Sequence, residues 1–314
     1  MCQLARAMPW ALACAGAILP RVAGLVVAAL IVALSAACSS VGLAPGASVA
    51  AASVQPGFVA SEGQWHEAWL IPSSVPGVLM HARLIRPAGT GPFPLAVVSH
   101  GSDQKPLARR RMEIPAYAGL TRYLLQRGYA VLVALRPGHG ATGGPYLEDQ
   151  RGCDSADFAG AARATADSIA AAIDYMRAQP FVRREGVLVI GNSAGAWGAL
   201  ALAARNPTGV SAVINFAGGR GGHNRNRPNN NCAPDRLVAA AAELGGTARL
   251  PTLWLYADTD TYFPPDLSRR MADAFAAAGG PTTYQLLPLP GQEGHNLIDH
   301  PAIWTAEFDA FLRR

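Results

Sequence analysis

GVLVIGNSAGAWGALALAAR, residues Gly186 to Arg205, is the stretch that decides the fold. The aliphatic run Val187 to Ile190 reads as a buried strand. It breaks at Gly191-Asn192-Ser193-Ala194-Gly195, and an alanine- and leucine-rich segment of helical composition follows. A strand, a sharp turn with serine at its apex and a helix form the setting in which G-x-S-x-G acts as a nucleophile elbow. The positions two before and two after the serine must lack bulk so that strand and helix can approach, and Gly191 and Gly195 meet that need. The following helix aims its N-terminus at the serine, which favours negative charge developing there. In a chain rich in Gly, Ser and Ala the pentapeptide could also be an ordinary turn. Partners elsewhere in the sequence have to decide.

Half of the 314 residues are hydrophobic and 15% are charged, a globular composition with enough chain for one large domain. The net charge of +5 overstates basicity: without Arg6 and Arg21 of the leading segment, 24 basic residues face 21 acidic ones. The one basic cluster, Arg109-Arg110-Arg111, reads as a solvated helix end, and nothing points to nucleic acid. Residues 1–38 contain no acidic residue and run apolar from Gly24 to Ala37, shorter than the ~20 residues of a membrane-spanning helix. This is the size of a signal-peptide core ending in small residues. Leu34-Ser35-Ala36-Ala37-Cys38 resembles a lipobox with its leucine one place early, so Cys38 is a candidate for lipidation. A single N-terminal membrane anchor is the alternative. Export to the periplasm or its membranes is expected, and residues 39–60, rich in Ser, Ala, Gly and Pro, read as a flexible tether before a catalytic domain over 61–314.

Strands are expected over Trp65–Ile71 and Val78–Ile85, as a hairpin, then over Pro94–Ser99, Tyr129–Leu135, Val187–Ile190, Ser211–Phe216, Thr252–Tyr256 and Thr283–Leu289. Helical spacing appears over Ile114–Arg127, Phe158–Ala178, the segment after the elbow, Arg236–Leu244, Pro265–Ala278 and Ala302–Leu312. The alternation predicts an α/β protein: about eight strands, mostly parallel after an antiparallel opening hairpin, with helices on both faces. Ligands then belong at the carboxyl ends of the strands. Too little chain separates the strands at Ser211 and Thr252 for a large lid domain.

A serine hydroxyl needs a base, and the base an orienting carboxylate, in the chain order serine, acid, histidine. The acid belongs in Ala257-Asp258-Thr259-Asp260-Thr261-Tyr262-Phe263. Asp260, further into the loop, is preferred; Asp258 is the alternative, otherwise a turn-holding residue. The histidine belongs in Gly291-Gln292-Glu293-Gly294-His295. One oxyanion donor is the N–H of Ala194, the other that of Ser102 in His100-Gly101-Ser102, with Gly101 or Asp103 as neighbouring registers. His139, Trp197, Tyr262 and Phe263 are candidate pocket walls, each readable equally as packing.

Ser99-His100-Gly101, Arg136-Pro137-Gly138-His139-Gly140, the elbow, Leu255 to Asp260 and Gly294-His295 stand in one order from about Trp65 to the C-terminus. In this the chain resembles an α/β-hydrolase of the dienelactone-hydrolase-like branch. The resemblance implies ester or acyl hydrolysis through Ser193, His295 and Asp260 with no cofactor. It departs at the elbow, where dienelactone hydrolases carry cysteine, so dienelactone is not the expected substrate. A small-molecule carboxylic ester is. A peptidase or acyltransferase could use the same triad, with Glu293 or Arg136 reading a substrate terminus, and a non-catalytic envelope binding protein is a further reading. Cys153 and Cys232 are the even pair left once Cys2, Cys14 and Cys38 are assigned to the leader, and a disulfide between them is expected in an oxidising compartment. No Cys/His spacing supports a metal site. Oligomeric state leaves no mark in the sequence.

Overall fold

The aliphatic runs assemble into one sheet because they can be buried on both faces. The computed structural model describes residues 57–61 and 66–313. Residues 1–56, on which the expected signal segment, Cys38 and most of the expected tether fall, lie outside the described residues. Within them, β1 (Gly57–Ser61), β2 (His66–Pro72) and β3 (Leu79–Ile85) form an antiparallel entry. Then come β4 (Leu95–Ser99), β5 (Ala130–Ala134), β6 (Val187–Asn192), β7 (Val210–Phe216), β8 (Thr252–Ala257) and β9 (Thr282–Leu287). The sheet order is β1-β2-β3-β5-β4-β6-β7-β8-β9, and from β5 onward every pairing is parallel. The sheet thus has one strand beyond the expected eight. Gly57–Ser61, read from composition as tether, pairs antiparallel with β2.

Every residue of β4 and β5 is buried, and the alternation sorts each strand between two cores. Leu95 and Val97 face the cluster built by α3 (Phe158–Arg177), α4 (Ala194–Ala203), α5 (Pro234–Thr247) and α6 (Pro265–Ala277). Ala96 and Val98 face the opposite cluster, where α2 (Ala118–Gln126) and α7 (Pro301–Leu312) contribute Tyr123, Trp304 and Phe308. The Ile169, Ile173 and Met176 stripe of α3 is buried as its spacing predicts. Only α5 and a short 3₁₀ turn lie between β7 and β8, consistent with the absence of a large lid.

Two boundaries differ from the sequence reading. The helix expected from Ile114 starts at Ala118, because Pro115 disfavours helical backbone at Ile114 and Tyr117 is left-handed at φ 40°. A short helix, α1 (Pro106–Arg110), was hidden by its length. Arg110 and Arg111 are exposed at its end as expected, but Arg109 is buried. Among the described residues no helix is long and apolar enough to cross a membrane.

Cys153 and Cys232 are bonded, with Cα atoms 5.0 Å apart and a sequence separation of 79. The bridge ties the loop after β5 to the loop after β7, so it closes a long segment of the unfolded chain. A Cys153→Ser/Cys232→Ser double variant is expected to lose roughly 2–4 kcal/mol in denaturant unfolding. Thiol labelling of the unmodified protein at these two positions should appear only after reduction.

Candidate active site

The elbow is built by close approach. Ser193 sits at φ 53°, ψ −121°, a left-handed backbone that an L-residue occupies only when its surroundings over-determine it. A Cβ on Gly191 would lie 2.2 Å from the Ala196 Cα, and one on Gly195 would lie 2.1 Å from the Ser99 carbonyl oxygen. Any larger residue at either place would push helix from strand. Ser193 N–H donates to the Phe216 carbonyl at 2.9 Å, which pins the apex to the next strand.

The loops after β8 and β9 bring the other two residues in. His295 Nε2 is 2.9 Å from Ser193 Oγ, and His295 Nδ1 is 3.3 Å from Asp260 Oδ2. The side chain of Asp260 is wholly buried, and its Oδ1 accepts the N–H groups of Tyr262 and Phe263 at 2.8 and 2.9 Å. Asp258, the alternative acid, accepts the Leu289 N–H instead and holds the turn. The glycine before the histidine is required: a Cβ on Gly294 would stand 2.3 Å from the Asp260 nitrogen. Such a set can take a proton from a hydroxyl nucleophile and return it to a leaving group.

The N–H groups of Ala194 and Ser102 have no acceptor among the described residues. Gly101 lies against the serine, its would-be Cβ 3.4 Å from Ser193 Cβ. These amides lie at the N-terminus of α4 and in the loop after β4. The Ser102 side chain turns the other way. Its Oγ meets His139 Nε2 at 2.8 Å and Tyr146 Oη at 3.3 Å. His139 Nδ1 faces the carbonyls of Arg136 and Pro137, so that nitrogen carries the proton and Nε2 accepts from Ser102. Burial, with Arg136 nearby, lowers the His139 pKa to about 4.

Beneath this loop lies a charge cluster. The Arg136 guanidinium forks onto Glu148 and also donates to Ser99 Oγ and the His100 carbonyl. Arg220 shares Glu148 Oε2 with Arg136 and donates to Tyr146 Oη at 3.0 Å. Burial alone would raise the Glu148 pKa; the two guanidiniums overcome that and hold the carboxyl well below its usual range. His100, buried and beside Arg136, is pushed well down and stays neutral, its Nε2 accepting the Arg136 N–H.

The remaining sequence candidates divide. His139 is buried and braces Ser102 rather than lining an open wall. Trp197 is wholly buried within α4, its indole N–H donating to the Phe158 carbonyl, and does not reach the cleft; an all-buried helix leaves its bulkiest side chain nowhere else to go. Phe263 is buried against Gly219, with its ring 5.5 Å from that of His295. Tyr262, half-buried, stacks on His295. Glu293 and Arg136, the candidate terminus-reading groups, are internally bonded: Glu293 accepts from Thr261 and from the His295 N–H. Sequence reasoning missed Glu148, Arg220 and Tyr146, for which no spacing rule exists. No group of metal-ligating side chains occurs among the described residues.

The family model for X-Pro dipeptidyl-peptidase (S15 family) matches residues 76–252, which hold the loop after β4 and the serine turn, while Asp260 and His295 lie beyond it. No curated protein sequence matches significantly. Among solved structures, an esterase of Pyrococcus furiosus superposes with a TM-score of 0.55 at 15% identity, over 84% of this chain and 97% of that one. Est1E of Butyrivibrio proteoclasticus, solved with ferulic acid bound, gives 0.53 at 17% identity over 78% and 99%. A dienelactone-hydrolase-like protein of Klebsiella pneumoniae gives 0.50 at 19% identity over 83% and 99%. At such identities the likeness is one of fold: the α/β-hydrolase fold anticipated from the sequence.

The lowered His139 has a consequence for stability. Its neutral form belongs to the folded state, so the unfolded chain binds the extra proton as pH falls from about 6.5 to about 4, and stability is lost across that window. His139→Asn is expected to flatten the fall of unfolding free energy between pH 6.5 and 4 by about 1–3 kcal/mol. Urea unfolding of both proteins at stepped pH measures this.

Proposed function

The chain belongs to the X-Pro dipeptidyl-peptidase (S15) family, serine hydrolases of the α/β-hydrolase fold, and from that premise we propose that it hydrolyses carboxylic esters through an acyl-enzyme on Ser193. The observation that carries the reading is the 2.9 Å approach of His295 Nε2 to Ser193 Oγ with Asp260 on the other ring nitrogen. In the proposed reaction Oγ attacks the ester carbonyl carbon while Nε2 takes its proton. The carbonyl electrons move onto the oxygen, which the N–H groups of Ala194 and Ser102 receive. As the carbonyl re-forms, the bond to the alcohol oxygen breaks and His295 returns the proton to it. Water then repeats the sequence on the acyl-serine, freeing the carboxylic acid. No metal or organic cofactor is required by these steps.

The family's name favours a second reading, release of dipeptides from a peptide N-terminus. That reaction calls for a carboxylate free to pair with an α-ammonium group. Glu148 is committed to Arg136 and Arg220, and Glu293, the candidate the sequence offered, to Thr261 and His295, so neither serves that role. The Cys153–Cys232 bridge supports an exported location, since such bonds persist in oxidising compartments.

A fluorophosphonate probe should label the wild type and not Ser193→Ala; labelling that survives in the variant would mean another nucleophile. Rates on p-nitrophenyl esters of graded acyl length, set against Xaa-Pro p-nitroanilides, separate the two substrate classes. The ester reading expects kcat/KM on the best ester to exceed that on any anilide by about 100-fold or more. Preference for an Xaa-Pro anilide would establish the peptidase instead.

A further inference from the structure

Tyr262 stands between two histidines. On one face its ring is parallel to that of His295, centroids 4.2 Å apart and planes 19° from parallel. On the other face the His223 ring lies 3.5 Å away at 15°. Face-to-face contact on both sides leaves the tyrosine little freedom, and a ring so fixed restricts the imidazole stacked on it.

Hydrogen bonds lock the same three segments together, and their directions follow from proton count. Thr261 Oγ1 has one proton, which goes to Glu293, a carboxylate held below its ordinary pKa by its bonds from Thr261 and His295 against the opposing effect of burial. His223 Nε2, 2.7 Å from Thr261 Oγ1, must therefore be the donor of that bond. Glu293 in turn accepts the N–H groups of Thr261 and His295 at 2.9 and 3.1 Å. Asn231 donates to the Tyr262 carbonyl, and the Asn229 N–H to the Thr261 carbonyl. The loop carrying His223, Asn229 and Asn231 is the one that Cys232 anchors through its disulfide.

We propose that Tyr262 is a positioning residue whose ring, backed by His223, fixes the His295 imidazole in the orientation from which Nε2 reaches Ser193. The loop after β7 is then part of the catalytic apparatus. The Tyr262 hydroxyl has no partner among the described residues, so the aromatic face and not the phenol does the positioning. This inference rests on the serine-hydrolase reading above.

The test reads the second-order rate of Ser193 labelling by a fluorophosphonate, which needs an activated serine but no knowledge of the substrate. It is paired with kcat and KM on the best p-nitrophenyl ester. Tyr262→Leu, which removes the ring at modest change of volume, should slow labelling and lower kcat by about 10- to 100-fold with KM within about threefold. Tyr262→Phe should retain both rates within about twofold. His223→Ala removes the backing ring together with its bond to Thr261, leaving Tyr262 in place, and should cost about three- to tenfold in labelling rate. It decides the matter should Tyr262→Leu not fold. A Tyr262→Leu protein that labels at the wild-type rate, or that loses only KM, overturns the proposal; the latter result would make Tyr262 a substrate wall. An unchanged rate in a folded His223→Ala removes the role given to that loop. If the wild-type serine itself does not label, the hydrolase reading fails before this one is reached.

Discussion

The molecule depends on one close approach: the backbone of α4 against β6 and β4 at the serine turn. Ser193 is driven to positive φ because Gly191 and Gly195 let helix and strand come within a distance no side chain would permit. Backbone in this region costs of order 1–3 kcal/mol, and what opposes it is the packing of an all-buried helix under a sheet buried on both faces. The return is geometric. The hydroxyl emerges beyond the strand end, and the first amide of the helix is left without an acceptor beside it.

Everything else at the site answers the question of how groups from distant parts of the chain are kept in register with that hydroxyl. The acid is fixed by accepting two amides from its own loop, so its second oxygen has one direction left in which to point. The loop after β4 is fixed from below. Ser102 hangs on His139 and Tyr146, and Arg136 bonds Ser99, His100 and Glu148 together. Buried charge of this kind is expensive to assemble and gives little net stability. It does give direction, because a guanidinium fork bonded on several sides cannot rotate. The position of an unpartnered amide at Ser102 is thereby tied to a cluster several residues away in three strand-end loops.

The parts of this that were legible in the sequence are those governed by local rules. Short aliphatic runs exposed β4 and β5, a helical stripe exposed α3, and the order serine, acid, histidine exposed the three residues that meet. Asp260 was separable from Asp258 because distance along a loop after a strand sets which side chain can turn back. The errors have equally physical origins. Gly57–Ser61 has the composition of a linker and becomes a strand only because β2 offers an open edge. Trp197 is readable equally as wall or packing, and because a helix surrounded by protein on every side has no exposed face, it packs. Glu148 and Arg220 were invisible: a buried ion pair 72 residues apart in sequence follows from tertiary neighbours and leaves no periodicity.

The stretch matched by the family model ends at residue 252, and the acid and histidine come after it. Elbow and oxyanion loop are set by sheet geometry, since both are strand ends in the middle of the order, flanked by parallel neighbours. The histidine has no such support. It follows β9, the edge strand, and sits in a 3₁₀ turn with no strand on its far side. A residue in that place must be held by side chains, and here the hold comes from Glu293 through the backbone and from Tyr262 across the ring face. Stacking and amide bonding can constrain an imidazole where no neighbouring strand does.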